Sequence, residues 1–291
     1  MNFPTFNKLP GAIAIDLDGT LLNSRTQLSE RNRNALEKCI ERRIPIIIAT
    51  SRPARIFNRV FPQNLAVYCS LVIMNGAIAI GRSPLSGQIK QILPEKTLRS
   101  IIDTAREYDP YTRITIEIDG YDFGTNLEGY DFTRKGSLDK ETIWQRNSAT
   151  PEMVIAVEEA IKRNPCKIAL VNTKIFPLAK ILESQFGESI SIVISKFTNG
   201  TSVPMLNITA KTATKPEALK SLLTPHGISL DDVMAFGDDL PDLEMLQVCG
   251  IPVAMANSFP EIEAVCAYHT TSNDEDGVAI VLEKMLEENT L

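Results

Sequence analysis

Residues 12–23 read AIAIDLDGTLLN: four apolar side chains, then at once Asp16, Asp18, Gly19 and Thr20. A run of Ala and Ile this short and uniform fits a strand buried on both faces, as strands of parallel sheets are. In open sheets of that kind, ligands bind beyond the carboxyl ends of the strands. Asp16 and Asp18 leave the strand tip at i and i+2, and two carboxylates so placed repel each other unless a cation or ligand shares the space. Taken alone, the pair also fits a polar turn whose acids cap backbone amides.

The same texture continues downstream. SERNRNALEKCIERR (29–43) reads as a helix opened by Ser29, IPIIIAT (44–50) as a strand, RPARIFNRVF (52–61) as a helix and SLVIMNGAIAI (70–80) as a strand and hairpin. After the turn-rich RSPLSGQ (82–88) the pattern changes. A helix, EKTLRSIIDTAREY (95–108), precedes RITIEID (113–119), CKIALVN (166–172), a second helix PLAKILESQF (177–186), and the closely spaced strands SISIVISKF (189–197) and SVPMLNITA (202–210). Such spacing implies an antiparallel sheet with helices on one face. The first texture then returns in KPEALKSLLTPHG (215–227), DDVMAFG (231–237), PDLEMLQVC (241–249), IPVAMA (251–256), SFPEIEAVC (258–266) and GVAIVLEKMLEE (277–288). The expected fold is therefore α/β, a doubly wound, Rossmann-like and mostly parallel core from 1–83 and 206–291, interrupted by an inserted α+β domain at 84–205.

Bulk properties narrow the function. The 291 residues are 44% apolar and 23% charged with a net charge of −6, an ordinary globular composition. No cluster of Lys and Arg exceeds short pairs such as Arg42-Arg43, which argues against nucleic acid as a ligand. No apolar run reaches the roughly 18 residues of a membrane span, and the first residues lack a basic start and apolar stretch, so a soluble, cytoplasmic protein is expected. The five cysteines are odd in number and widely spaced, and read as buried free thiols. With only two histidines, His226 and His269, a His-based metal cage or a Ser-His-Asp triad lacks material. Chemistry has to rest on carboxylates, lysine and hydroxyls.

Four stations supply those groups. At the first, a carboxylate can attack phosphorus while a second acid moves protons, and Mg2+, a hard cation that prefers oxygen, fits between them. At the second, Thr50 and Ser51 end a strand, where a hydroxyl and a backbone N–H can hold a phosphoryl oxygen or simply cap the next helix. At the third, Lys215 precedes Pro216 and Glu217 at a helix start, an anion site or a solvated lysine, with Lys211 as its rival. At the fourth, GDDLPDLEML (237–246) crowds Asp238, Asp239 and Asp242 at a strand end, which is costly without a counter-ion.

D-x-D-G-T-L after an N-terminal apolar strand, followed in order by hydroxyl, lysine and acid cluster, resembles the haloacid dehalogenase superfamily of phosphatases and phosphotransferases. The long insertion, the NGA at 75–77 and the SNDEDGVA at 272–279 look like its Cof-type subfamily, whose inserted α+β cap covers the active site. The resemblance implies Asp16 as nucleophile, Asp18 as general acid/base, and Thr50, Ser51 and Lys215 around the phosphoryl group. Mg2+ is implied on Asp16, the backbone carbonyl of Asp18, and Asp238, with Asp242 supporting it. It implies a small phosphorylated metabolite as substrate, sugar phosphates first, and a monomer or homodimer. Two departures stand out: Ser51 replaces the glycine of the usual T-G-R, and Pro241 replaces the asparagine of G-D-x-x-N-D. A phosphomutase or phosphotransferase, and a non-catalytic phosphometabolite-binding protein, are the competing expectations. Tyr121, Asp122, Asn126, Tyr130 and Trp144 of the inserted domain fit contact with a substrate and fit ordinary surface or core positions equally, so the sequence assigns none of them a role.

Overall fold

A computed structural model describes residues 3–118, 128–133, 136–139, 154–196 and 204–289. The chain divides into two compact units: Met1–Arg52, Ile56–Ile89 and Lys215–Leu291 form one, and Pro53–Arg55 and Lys90–Thr214 the other.

In the first unit β1 (Ala12–Ile15), β2 (Ile46–Ala49) and β3 (Ser70–Ile73) are buried at every position, as their unbroken apolar runs require. Between β1 and β2 lies α1 (Glu30–Glu41), whose first turn is closed by the Ser29 hydroxyl accepting the Asn32 N–H at 3.0 Å. It buries Ala35, Leu36 and Cys39, spaced one turn apart. α2 (Ala54–Val60) and the short α3 (Gln63–Ala66) lead to β3. A 3-10 turn at Met74–Gly76 then reverses the chain into β4 (Ile78–Ile80), antiparallel to β3, and β5 (Gln88–Lys90) edges the sheet.

The second unit contains α4 (Glu95–Tyr108), β6 (Arg113–Ile118), β7 (Glu128–Tyr130), β8 (Val154–Ala156), α5 (Val157–Ala160), β9 (Pro165–Val171), α6 (Ile175–Phe186), β10 (Ile190–Lys196) and β11 (Pro204–Ala210). Its strands run in the order β10-β11-β9-β6-β7-β8. All the pairs are antiparallel except β7 with β8. One face, carrying Ile114, Ile116, Ile168, Leu170, Leu206 and Ile208, packs with Leu98 and Ile101 of α4 and Leu178 and Leu182 of α6. The other face places Glu117, Lys167 and Thr209, all buried, in one cross-strand row. Of the five side chains of this unit named above, Tyr130 lies in β7 with its ring 6.4 Å from that of Phe132. Tyr121, Asp122, Asn126 and Trp144 lie outside the described residues.

The chain then returns to the first unit through α7 (Lys215–Leu223), β12 (Val233–Gly237), α8 (Leu243–Val248), β13 (Ile251–Ala254), α9 (Pro260–Val265), β14 (Tyr268–His269) and α10 (Gly277–Glu288). The sheet order is β14-β13-β12-β1-β2-β3-β4-β5, parallel from β14 to β3. From β1 the chain first fills β2 and β3 on one side and later β12, β13 and β14 on the other. The strand order therefore reverses between β1 and β12, and the topological switch point lies at their carboxyl ends. Ile15 pairs with Phe236, so Asp16 emerges beside Gly237.

All five cysteines, Cys39, Cys69, Cys166, Cys249 and Cys266, are free and buried. Burial pushes the thiols of Cys39, Cys69, Cys249 and Cys266 up to about 12, which suppresses the reactive thiolate at neutral pH. Native protein mixed with an aromatic disulfide reagent is expected to release almost no thiol in the first minutes and five equivalents after denaturation. Rapid release of one or more equivalents from folded protein contradicts this placement.

Candidate active site

Asp16 follows β1 directly, and its N–H donates to the Phe236 carbonyl at 3.1 Å, so the sheet's own ladder aims it at the switch point. Its side chain meets Lys215, the first residue of α7, whose Nζ donates to Asp16 Oδ1 and to Asp242 Oδ1, both at 2.6 Å. Lys215 is only 3% exposed, so it is not a solvated surface lysine. Sequence spacing put Lys215 just ahead of the helix; it instead opens the helix and points its charge at carboxylates. Its rival Lys211 is exposed on the turn after β11.

Asp238 follows β12, and Asp242 lies in the 3-10 turn Leu240–Asp242. The turn closes reciprocally: the Asp239 side chain accepts from the Leu240 N–H at 2.7 Å, and Asp242 Oδ2 accepts the N–H groups of Asp238 and Asp239 at 3.2 and 3.3 Å. Pro241 fits here because its fixed φ suits the start of a helical turn. The carboxylates of Asp16, Asp238 and Asp242 each offer an oxygen, all within 4.8 Å of one another, the one such group among the described residues. The Asp18 carboxylate is not part of it.

Asp18 faces Arg52 instead. Arg52 Nε donates to Asp18 Oδ2 at 2.6 Å and Nη2 to Oδ1 at 2.5 Å, a bidentate fork. Thr50, buried at the end of β2, accepts the Arg52 N–H on its hydroxyl at 3.1 Å and so shapes the loop that carries the arginine. Ser51, between them, is half-buried. Arg52 received no role from the sequence. What pointed to it is its position, two residues past Thr50 on the carboxyl edge of the sheet.

Thr20 and Gly19 complete the turn that follows β1. Thr20 Oγ1 donates to Asp238 Oδ1 at 2.8 Å, linking the first station to the fourth. Gly19 has φ +80°, and a Cβ there would fall 2.2 Å from Asp238 Oδ2. The backbone approaches that carboxylate as closely as it does because no side chain intervenes.

The electrostatics follow from crowding. Burial, then the neighbouring Asp242 charge, hold the Asp16 carboxyl well above the ordinary carboxylate range, with Lys215 opposing and Asp238 and Asp18 adding. Burial and Asp242 push Asp238 up to about 7, against the hydrogen bond from Thr20. Burial pulls the Lys215 ammonium down, but the charges of Asp16 and Asp242 outweigh it and raise it. Three carboxylates thus face one ammonium. A donor set of clustered carboxylate oxygens with surplus negative charge fits a hard divalent cation such as Mg2+.

A family model for haloacid dehalogenase-like hydrolases matches residues 13–282. The chain belongs to that family. It is 27% identical to the phosphatase YwpJ of Bacillus subtilis, over 94% of this chain and 99% of that protein. Among solved structures, a protein of Streptococcus mutans, SMU.1108c, matches with a TM-score of 0.76 and 26% identity over 96% of this chain and 99% of the other. A structure described as that of a subclass IIB sugar phosphatase of the superfamily matches with a TM-score of 0.70 and 22% identity, covering 94% and 97%. That last likeness concerns the fold alone.

The raised Asp238 has a measurable consequence. Its carboxyl binds a proton up to about pH 7 when folded but only to its ordinary value of 3.8 when unfolded, so across that window the folded state holds more protons. Raising the pH through it therefore removes stability from the protein stripped of divalent ions. Asp238→Asn lacks the titration. With chelator present, its melting temperature minus that of the wild type is expected to increase from pH 4 to pH 8. A difference that does not change with pH refutes the assignment.

Proposed function

We propose that this hydrolase cleaves small phosphoric monoesters, with Asp16 as nucleophile and an aspartyl-phosphate intermediate. The observation that carries the reading is the buried Lys215 bridging Asp16 and Asp242, with Asp238 beside them, at the switch point of the sheet. An Asp16 oxygen attacks phosphorus as the bond to the leaving oxygen breaks. Asp18 supplies the proton that the departing alcohol needs, and then takes one from the water that attacks the intermediate and restores the Asp16 carboxylate. Inorganic phosphate leaves. Lys215, the Thr50 hydroxyl and backbone at Ser51 neutralise the phosphoryl oxygens.

Asp16, the backbone carbonyl of Asp18, and Asp238 would hold Mg2+, with Asp242 fixing the loop beneath. Bound there, the ion offsets the charge of the phosphoryl group and permits carboxylate and phosphate to approach. Arg52 occupies both oxygens of Asp18, so substrate entry has to open that fork before Asp18 can move protons. In the role of a proton carrier, Asp18 thus has a partner that keeps it in place between turnovers.

Sugar phosphates are the first substrates to test, in line with the sugar phosphatase that shares the fold. Phosphate release is measured over a panel of sugar phosphates, nucleotides and phosphorylated cofactors with Mg2+ and no added acceptor. Release without acceptor separates hydrolysis from phosphoryl transfer. Asp16→Asn is expected to reduce the rate by at least about 10³-fold, in keeping with removal of a covalent nucleophile. Activity surviving the substitution sinks the nucleophile assignment.

Asp18→Asn gives a sharper signature. It is expected to lower kcat by about 10²-fold or more, the usual range for positioned acid–base groups, while an unactivated alcohol suffers more than p-nitrophenol as leaving group. An equal loss for both leaving groups removes Asp18 from protonation of the leaving oxygen.

A further inference from the structure

The turn that carries Asp16, Asp18 and Thr20 is held from outside by three asparagine side chains. Asn32 Nδ2 donates to the Leu21 carbonyl at 3.1 Å, Asn273 Nδ2 to the Leu22 carbonyl at 2.9 Å, and Asn257 Nδ2 to the Gly19 carbonyl at 2.8 Å. The first two are buried and join the turn to α1 and to the C-terminal loop, as structural ties do. Asn257 differs in two respects. It is exposed, and it is the one of the three that also reaches a carboxylate of the acid cluster, with Nδ2 3.5 Å from Asp238 Oδ2.

The carboxamide is itself fixed. Its Oδ1 accepts the Asn273 N–H at 3.0 Å, so both ends of the group are engaged and its rotation is set by the C-terminal loop. On the other side of the contact, Gly19 lies against Asp238 with no room for a Cβ, and Thr20 donates to the second oxygen of the same carboxylate. The neighbouring Phe259 N–H donates to the Asp238 carbonyl at 3.0 Å. Asn257 therefore stands where the nucleophile turn, the Asp238 side chain and the C-terminal loop meet.

We propose that Asn257 is a positioning residue for the cation site, holding the Gly19 carbonyl and Asp238 in register so that the Asp18 backbone carbonyl and the Asp238 carboxylate present their oxygens together. This rests on the proposed cation reading and extends it to a residue that neither the motif order nor the acid cluster reveals. Outer groups that orient metal ligands typically change affinity by 10–100-fold when removed. Because Asn257 is exposed, water can take over the hydrogen bonds its side chain makes, and its loss is expected to cost the fold little stability.

The test reads metal affinity without substrate. Mn2+ binding to full-length wild type, Asn257→Ala and Asn257→Leu is followed by electron paramagnetic resonance of the free ion at pH 8, alongside melting temperatures in chelator. The expected result is an approximately 10-fold weaker dissociation constant in both variants, with melting temperatures within about 2 °C of wild type. If one variant fails to fold, the other gives the answer; failure of both shows a folding role and overturns the proposal. Unchanged Mn2+ affinity in a folded variant overturns it as well. A wild type that binds no Mn2+ defeats the cation reading itself, a distinct outcome because it appears before any variant is compared.

Discussion

The constraint on which the structure turns is a charge imbalance sealed at one sheet edge: three carboxylates, Asp16, Asp238 and Asp242, share one ammonium, Lys215, in a site where two of the acids and the lysine are buried. Desolvated charges of one sign are expensive, and a single lysine cannot neutralise them. The arrangement persists because the parallel sheet dictates it. Asp16 and Asp238 follow adjacent strands in matched register, so the strands cannot pair without bringing the acids together. Replacing buried charges by apolar groups of the same shape is often neutral or stabilising, so the stability of the fold does not by itself account for this cluster.

The surrounding polar groups can be understood as managing that imbalance. Lys215 takes one oxygen from Asp16 and one from Asp242; Thr20 takes one from Asp238; backbone N–H groups of Asp238 and Asp239 take the remaining oxygen of Asp242. Asp18 lies apart, in a bidentate pair with Arg52 and partly open to solvent. The two acids of the D-x-D sequence thus meet opposite environments. One is buried among carboxylates with Lys215 as its cation, the other is forked by a guanidinium, and the proposed division between attack on phosphorus and movement of protons draws on that difference.

Much of this was legible in the chain because its causes are local or periodic. The unbroken Ile and Ala runs gave the parallel strands, and the break in texture after residue 82 announced the second unit. Its extent is set by packing that the pattern does not encode: Leu85 is buried in the first unit's core, so residues 84–89 stay with it, while β11 belongs with β9 and β10 through its ladder. Short elements escaped for a physical reason too. β7, β8 and β14 have three residues or fewer, too few for alternation to register.

Partners defined by side-chain reach were the part that could not be read. Arg52 and Asp18 are 34 positions apart, and Asn257 and Gly19 are 238 apart, so neither spacing carries a signal. Pro241 illustrates the converse. As a departure from G-D-x-x-N-D it looked like a missing amide, yet in place it stiffens the turn from which Asp242 grips two backbone N–H groups and Lys215. The ring that removes an amide from this position fixes φ at the start of the turn, and the turn thereby fixes Asp242, one of three acids that each place an oxygen within 4.8 Å of the others.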